Sequence, residues 1–218
     1  MSIFDLSSYL QWLGSFFITL AVFYPFEKRP SYVFILGIYG LNSFLFQFFQ
    51  EASMVFLNMR YSPQLGNIYV LLETLILLLL FYHLLNRKIL RRLITLTSIL
   101  YFVFFVIVIS KELSIMSSPT RTMRDFLMIC CSLIYFITIL KELPKENLLE
   151  LPGFWFVAGI LFFFSCTFIL SLSLRYIAEV LGENMVYFWS VRNFLRACFC
   201  GVICIGIWKA RKQAYKIE

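Results

Sequence analysis

Three ionisable side chains interrupt otherwise uncharged stretches of this 218-residue chain: Glu73, Arg192 and Arg196. Arg192 and Arg196 are four residues apart, so on a helix they share one face, and Asn193 lies at the edge of that face. A carboxylate and guanidinium groups can form a buried ion pair, or the guanidinium groups can bind a small anion. Either role requires the segments that carry these residues to lie side by side.

Those segments have the length of membrane-spanning helices. A helix crosses a bilayer core of about 30 Å in roughly 20 residues, because it rises about 1.5 Å per residue. Runs of about this length recur between charged or loop-forming residues along the whole chain. We predict a single transmembrane domain, residues 1–218, with seven spans at approximately 6–26, 31–50, 67–86, 92–110, 123–141, 151–174 and 185–208.

The composition favours the same architecture. Hydrophobic residues make up 61% of the chain and charged residues 14%, whereas soluble domains have about 45–50% and about 25%. This excludes a water-soluble globular domain. A membrane barrel would show alternating segments of about ten residues, and the sequence has continuous apolar runs instead. The predicted fold is therefore all-α, a polytopic transmembrane helix bundle.

The distribution of lysine and arginine predicts the orientation, since short cytoplasmic loops are enriched in both. The odd-numbered connections and the C-terminus hold most of the basic residues, namely Lys28, Arg29, Arg87, Lys88, Arg91, Arg92, Lys141, Lys145, Lys209, Arg211, Lys212 and Lys216. The other side holds seven, and Arg124 is one of its loop charges. We therefore expect the N-terminus outside and the C-terminus in the cytoplasm, in a bacterial cytoplasmic (inner) membrane.

An ionisable side chain within a span costs on the order of 2.5–3.5 kcal/mol on insertion scales, so each one needs a structural or functional reason. Counted from the predicted helix ends, Glu73 and Arg192 lie at matching depths, roughly 9 Å below the outer surface at about 1.5 Å per residue. Gln47 and other polar residues fall in the same outer half. These residues form either a buried ion pair that fixes helix register or an outward-open pocket for a small anionic or zwitterionic ligand. The sequence leaves both interpretations open.

Residues for several other functions are scarce. His83 is the sole histidine, Asp5 and Asp125 are the only aspartates, and no nucleotide-binding glycine motif occurs. We therefore expect no cofactor, no metal site and no catalytic constellation. Nucleic acid is not an expected partner, because the basic residues lie beside span ends rather than among aromatic residues on one face. The densest basic group, which we name the basic cluster, is a candidate for contact with anionic lipid or an acidic partner; it comprises Arg87, Lys88, Arg91 and Arg92.

Three short strings carry a resemblance to a known group of proteins: NIYVLLE at residues 67–73, FWFVAGI at 154–160 and FWSVRN at 188–193. With the seven-span layout, they resemble small uncharacterised bacterial seven-helix membrane proteins that are similar to the membrane part of seven-helix sensor histidine kinases. The resemblance implies a sensory or accessory subunit that signals through a separate sensor kinase or other cytoplasmic protein. The alternatives are a small-solute transporter or channel and a lipid-modifying membrane enzyme.

Overall fold

A computed structural model describes residues 3–23, 30–57, 63–111, 118–142, 147–181 and 185–216. Within these residues the regular structure is entirely helical. The seven long helices are α1 (Ile3–Phe23), α2 (Ser31–Leu57), α3 (Pro63–Leu84), α4 (Lys88–Lys111), α5 (Ser118–Glu142), α6 (Pro152–Leu181) and α7 (Met185–Lys216), and a short 3-10 helix covers Leu148–Glu150. All seven contain a segment long and apolar enough to cross a membrane. The predicted all-α fold is confirmed for the described residues, and they contain seven helices long and apolar enough to span a membrane, as predicted.

The helices overlap the predicted spans, but most of them begin or end elsewhere. α5 begins at Ser118, five residues before the predicted start, and α7 continues to Lys216. α3 ends at Leu84, so residues 85 and 86 lie outside it, and residues 24–26 lie outside the described residues. The predicted limits are set at charged residues. These residues lower the local hydropathy, but they do not end a helix. Most of the helices are therefore longer than the apolar runs they contain.

Neighbouring helices run in alternating directions. The first halves of α1, α3, α5 and α7 meet the second half of α2 around one cavity, and Ser171 near the end of α6 reaches α5 at the same level. α1 packs against α2 and α7, α6 packs against α5 and α7, and α3 packs against α2 and α5. These contacts close a ring of six helices, with α4 outside it against α3 and α5.

Large apolar side chains fill the middle of the ring. Leu36, Leu77, Phe163, Phe199 and Ile203 are each completely buried. Where α1 crosses α7, the backbones approach so closely that a Cβ at Gly14 would lie 2.8 Å from the Cβ of Cys200. Small residues at a crossing permit such packing, which stabilises helix pairs in a membrane.

Candidate functional site

Glu73 lies at the centre of a buried polar cluster. Its side chain is completely buried, and its Oε2 accepts a hydrogen bond from Arg124 Nη1 while its Oε1 accepts one from Arg196 Nη2. The hydroxyl groups of Tyr39 and Tyr69 also donate to Oε1, at 3.2 and 3.0 Å. One carboxylate from α3 thus meets guanidinium groups from α5 and α7.

A second carboxylate completes the cluster. Asp125 Oδ1 accepts hydrogen bonds from Nε and Nη2 of Arg124, at 2.8 and 2.7 Å, and its Oδ2 accepts one of 2.7 Å from Ser171. We name the four charged residues the charged network; they are Glu73, Arg124, Asp125 and Arg196. With Tyr39 and Ser171, the network joins five helices: α2, α3, α5, α6 and α7.

The charged network satisfies the electrostatic conditions for burial. Its two carboxylates balance its two guanidinium groups, so the cluster carries no formal net charge. Each carboxylate oxygen accepts at least one hydrogen bond. Buried charges are tolerated when they are paired and hydrogen-bonded, and removal of one partner leaves the other uncompensated. The network therefore connects these helices through charges that are paired with one another.

A cavity of about 480 Å³ adjoins the charged network. It lies between the ends of α1, α2, α3, α5 and α7 at which the odd-numbered helices begin. Polar and aromatic side chains line it together, including Ser8, Gln11, Ser43, Phe46, Gln47, Gln50, Glu51, Tyr69, Arg121, Trp189, Arg192, Asn193 and Arg196. Volumes of this size are typical of small-molecule sites.

The two sides of the cavity differ in chemistry. α5 and α7 contribute three arginines, Arg121, Arg192 and Arg196, whereas α1 and α2 contribute the amides of Gln11, Gln47 and Gln50. The guanidinium carbons of Arg121 and Arg192 lie 5.8 and 5.5 Å from the ring centroid of Trp189. We name these sides the arginine wall and the amide wall.

Arg196 belongs to both the charged network and the cavity. Its Nη2 donates to Glu73 and to the Tyr39 hydroxyl, 2.7 Å away, and its side chain also lines the cavity. Its Nε is buried without a hydrogen-bond partner in the described part of the chain, as is Oε1 of Gln47 on the facing wall. Arg196 Nε can therefore donate a hydrogen bond, and Gln47 Oε1 can accept one.

The structure corrects the predicted depth of the ion pair. Glu73 pairs with Arg196, whereas Arg192, which the sequence places at the depth of Glu73, lies one turn closer to the helix start and against Trp189. The reason is that α3 begins at Pro63 rather than at residue 67. Glu73 is therefore ten residues from the first residue of its helix and Arg196 eleven from that of α7, so these two meet.

Asn193 connects α7 to α1. Its Nδ2 donates to the hydroxyl oxygens of Ser7 and Ser8, at 3.4 and 3.1 Å. Asn193 and Gln47 both line the cavity, so the predicted site residues Glu73, Arg192, Arg196, Asn193 and Gln47 lie in or directly beside one site.

Arg124 and Asp125 are members of the site that the sequence alone does not identify. The predicted span 123–141 has both at its outer end, with Arg124 among the charges of the outer side, but both are completely buried, because α5 begins at Ser118. A signal was present in the sequence: the uncharged run from Asp125 to Lys141 is too short to cross a bilayer, so charged residues had to lie within that span. Tyr39, one of 12 tyrosines, carried no comparable signal.

The four residues of the basic cluster make different contacts in the structure. Arg91 Nε donates to the carbonyl oxygen of Leu85, 2.8 Å away and just after the end of α3. A cation at this end of a helix interacts favourably with the helix dipole. Arg87 pairs with Glu142 at 3.4 Å. Lys88 and Arg92 are exposed, so these two and Arg87 are the members that can meet lipid or a partner.

A second cavity, of about 300 Å³, lies at the opposite end of the bundle. Its lining includes Tyr32, Asn86, Tyr135, Glu142 and Gln213, from α2, α5, α7 and the residues that follow α3. The buried apolar side chains in the middle of the ring separate it from the first cavity.

Comparison of the chain with protein-family models, with curated proteins and with solved structures finds no match.

Proposed function

We propose that this protein is a sensory or accessory subunit of a bacterial cytoplasmic membrane. In this proposal it binds a small anionic or zwitterionic ligand in the cavity beside the charged network and signals through a separate cytoplasmic protein. The observation that supports it is the double position of Arg196, which lines the cavity and pairs with Glu73. A ligand at the arginine wall would therefore act on a buried ion pair.

Competition for Arg196 provides the coupling. An anion that accepts a hydrogen bond from Arg196 weakens the attraction between Arg196 and Glu73, because two negative groups then share one guanidinium. Glu73 also binds Arg124, which binds Asp125 and through it Ser171 on α6. A ligand that prefers one arrangement of this network shifts the helix bundle toward it. Coupling of this kind requires an element with two arrangements whose equilibrium both sites bias, and in this proposal the charged network is that element.

The arrangement of the core favours a binding protein over a channel. Immediately beyond Arg196, Phe163 and Phe199 stack at 5.2 Å and are completely buried. The second cavity is the observation that favours the alternative, a small-solute transporter, since it could be the other half of an alternating pathway. That alternative requires the core between the two cavities to open.

A lipid-modifying enzyme is the weakest candidate. A general base needs a lone pair within reach of the substrate, and Glu73 already accepts hydrogen bonds from Arg124, Arg196, Tyr39 and Tyr69. The carboxylate is thus used to hold helices together. We propose a non-catalytic role for it.

Binding can be tested with purified protein in phosphatidylcholine nanodiscs. The thermal unfolding midpoint is measured with a panel of small carboxylates, phosphates, sulfates and zwitterions, for the wild type, Arg192→Gln and Lys212→Gln. Lys212 is exposed and lies against Trp208 near the other end of α7, so it is a matched control. We expect at least one compound to raise the midpoint of the wild type and of Lys212→Gln but not of Arg192→Gln. Equal shifts in all three proteins would argue against the cavity as the site.

The same compounds distinguish sensing from transport. Proteoliposomes that contain the wild-type protein are loaded with a compound that binds, and its efflux is followed over time. If the protein is a sensor, we expect the compound to leave these proteoliposomes at the same rate as it leaves loaded liposomes without protein. Protein-dependent efflux that Arg192→Gln abolishes would support the transporter instead.

A further inference from the structure

We infer that the ligand is a zwitterion with a primary ammonium group close to its anionic group, and that Arg196 binds the anionic group while Gln47 binds the ammonium group. This inference rests on the proposed function and narrows the chemical class of its ligand. Two buried polar atoms of residues that line the cavity carry it, because one of them is a donor and the other is an acceptor.

The donor is Nε of Arg196. The residue is 4% exposed, and its Nη2 already donates to Glu73 and to Tyr39. Its Nε is buried without a hydrogen-bond partner among the described residues, although the side chain lines the cavity. A guanidinium nitrogen of this kind can only donate, and buried polar groups are normally satisfied. A ligand oxygen can accept this hydrogen bond, and an anionic oxygen accepts it most strongly.

The acceptor is Oε1 of Gln47, which is buried without a hydrogen-bond partner in the described part of the chain. An amide oxygen can only accept, so a ligand group that satisfies it has to carry a hydrogen atom. Glu51 follows Gln47 by one turn of α2 and lines the same cavity as an exposed carboxylate. Two acceptors on one face of α2 favour a donor with a positive charge. A carboxylate or sulfate without an ammonium group would leave Gln47 unsatisfied.

One tyrosine lies between the donor and the acceptor. The hydroxyl groups of Ser43 and Tyr69 form a hydrogen bond of 3.1 Å, and Ser43 precedes Gln47 by one helical turn, about 6 Å along the axis of α2. The guanidinium carbon of Arg196 lies 5.3 Å from the ring centroid of Tyr69. All four residues line the cavity. One small molecule can therefore reach both Gln47 and Arg196.

Two sources supply this chemistry, a free α-amino acid and the headgroup of an ethanolamine phospholipid. The first arm of the test uses calorimetric titration of the protein in phosphatidylcholine nanodiscs with the common α-amino acids that have a primary ammonium group. The amino acid that binds most tightly is compared with its deaminated carboxylate and with its N-trimethyl betaine, which keeps the positive charge but has no N–H. We expect each analogue to bind the wild type at least about tenfold more weakly than the amino acid.

Substitutions of Gln47 test the contact from the side of the protein. Gln47→Leu removes the acceptor, so the preference for the amino acid over its deaminated analogue should fall below about threefold. Gln47→Glu keeps an acceptor and adds a negative charge, so it should bind the amino acid more tightly and the deaminated analogue more weakly than the wild type does. Lys212→Gln changes the net charge by the same amount at the other end of α7, and we expect it to behave as the wild type.

The second arm uses nanodiscs in which phosphatidylethanolamine replaces part of the phosphatidylcholine. The two headgroups are both zwitterions, but choline has no N–H group. If the lipid is the ligand, phosphatidylethanolamine raises the unfolding midpoint of the wild type but not of Gln47→Leu. If the ligand is a free amino acid, phosphatidylethanolamine changes neither this midpoint nor the affinity for the amino acid.

Three results would overturn the inference. Either analogue binds as tightly as the amino acid, Gln47→Leu keeps the full preference, or no amino acid binds and phosphatidylethanolamine produces no shift that depends on Gln47. Should a carboxylate or phosphate of the earlier panel still bind through Arg192 in any of these cases, the sensory proposal would survive and only the ammonium group would be lost from the assignment.

Discussion

The two ends of the bundle use the same kinds of residue in opposite ways. At the cavity end, Arg124 and Glu73 form an ion pair in which both side chains are 0% exposed. At the opposite end, Arg87 and Glu142 also pair, but their side chains are 55% and 52% exposed. Water solvates the second pair whether or not it forms, whereas the first has only its protein partners. The comparison shows that burial, rather than the presence of an ion pair, determines how strongly the fold depends on a charge.

The largest expected effect comes from removing the arginine at the centre of the charged network. Arg124→Leu leaves Asp125 without a cation and Glu73 with only Arg196, so we expect a loss of about 3–5 kcal/mol in the free energy of unfolding. Reversible unfolding in mixed detergent micelles measures it. The double variant Arg124→Leu/Asp125→Leu removes one charge of each sign and should recover part of the loss. Strictly additive effects would mean that the two residues do not interact.

A smaller effect is expected where a neutral group supports the network. Ser171→Ala removes the hydrogen bond to Asp125 Oδ2, which should lower the free energy of unfolding by about 1.5–3 kcal/mol, since the acceptor is charged. Ser98 is a matched control because its hydroxyl donates to the Ile94 carbonyl within α4. We expect Ser98→Ala to change stability by less than about 0.5 kcal/mol. Equal losses of stability in Ser171→Ala and Ser98→Ala would mean that a hydrogen bond to the charged network contributes no more than one within α4.

The comparison extends from charge to packing at the α1–α7 crossing. Gly14→Ala places a methyl group against Cys200, and overpacking of this kind should lower the unfolding free energy by about 1–3 kcal/mol. At Gly201, also on α7, a Cβ would meet no atom of another helix within 4 Å among the described residues. Gly201→Ala should therefore leave stability unchanged or raise it by up to about 1 kcal/mol, since alanine favours helix. A loss in Gly201→Ala as large as that in Gly14→Ala would contradict the close crossing.

The smallest effect is expected at the exposed pair. Arg87→Ala removes the contact with Glu142, and exposed pairs typically contribute less than about 1 kcal/mol. We expect a change below about 0.5 kcal/mol in the same unfolding measurement. A loss comparable to that of Arg124→Leu would show that burial is not the decisive variable.

Much of the fold could be predicted from the sequence because the bilayer imposes its thickness on each span. Apolar runs therefore located all seven helices, and the cost of burying a charge singled out Glu73, Arg192 and Arg196. The same reliance on charges displaced the helix ends. Arg124 and Asp125, adjacent and opposite in sign, resemble a loop boundary, yet they lie inside α5, where Arg124 pairs both with Asp125 and with Glu73 of α3.

The remaining parts of the site depend on which helices are neighbours, and periodicity within one helix does not contain that information. Tyr39 on α2 belongs to the site because its hydroxyl group forms hydrogen bonds with Glu73 of α3 and Arg196 of α7. Likewise, the cavity lies where five helices from both ends of the sequence meet. Trp189 can be recognised as the surface shared by Arg121 and Arg192 only after α5 and α7 have been placed.

The central claim is that the cavity and the charged network share Arg196, and the effect of Glu73 on anion affinity tests it most directly. Calorimetric titration compares the wild type with Glu73→Gln, using whichever panel anion binds the wild type most tightly. Tyr39→Phe, which removes a smaller part of the same contact, serves as a second variant. Because Glu73 no longer competes for Arg196, we expect Glu73→Gln to bind the anion about tenfold more tightly and Tyr39→Phe to show a smaller gain. Unchanged or weaker affinity in both variants would contradict the coupling.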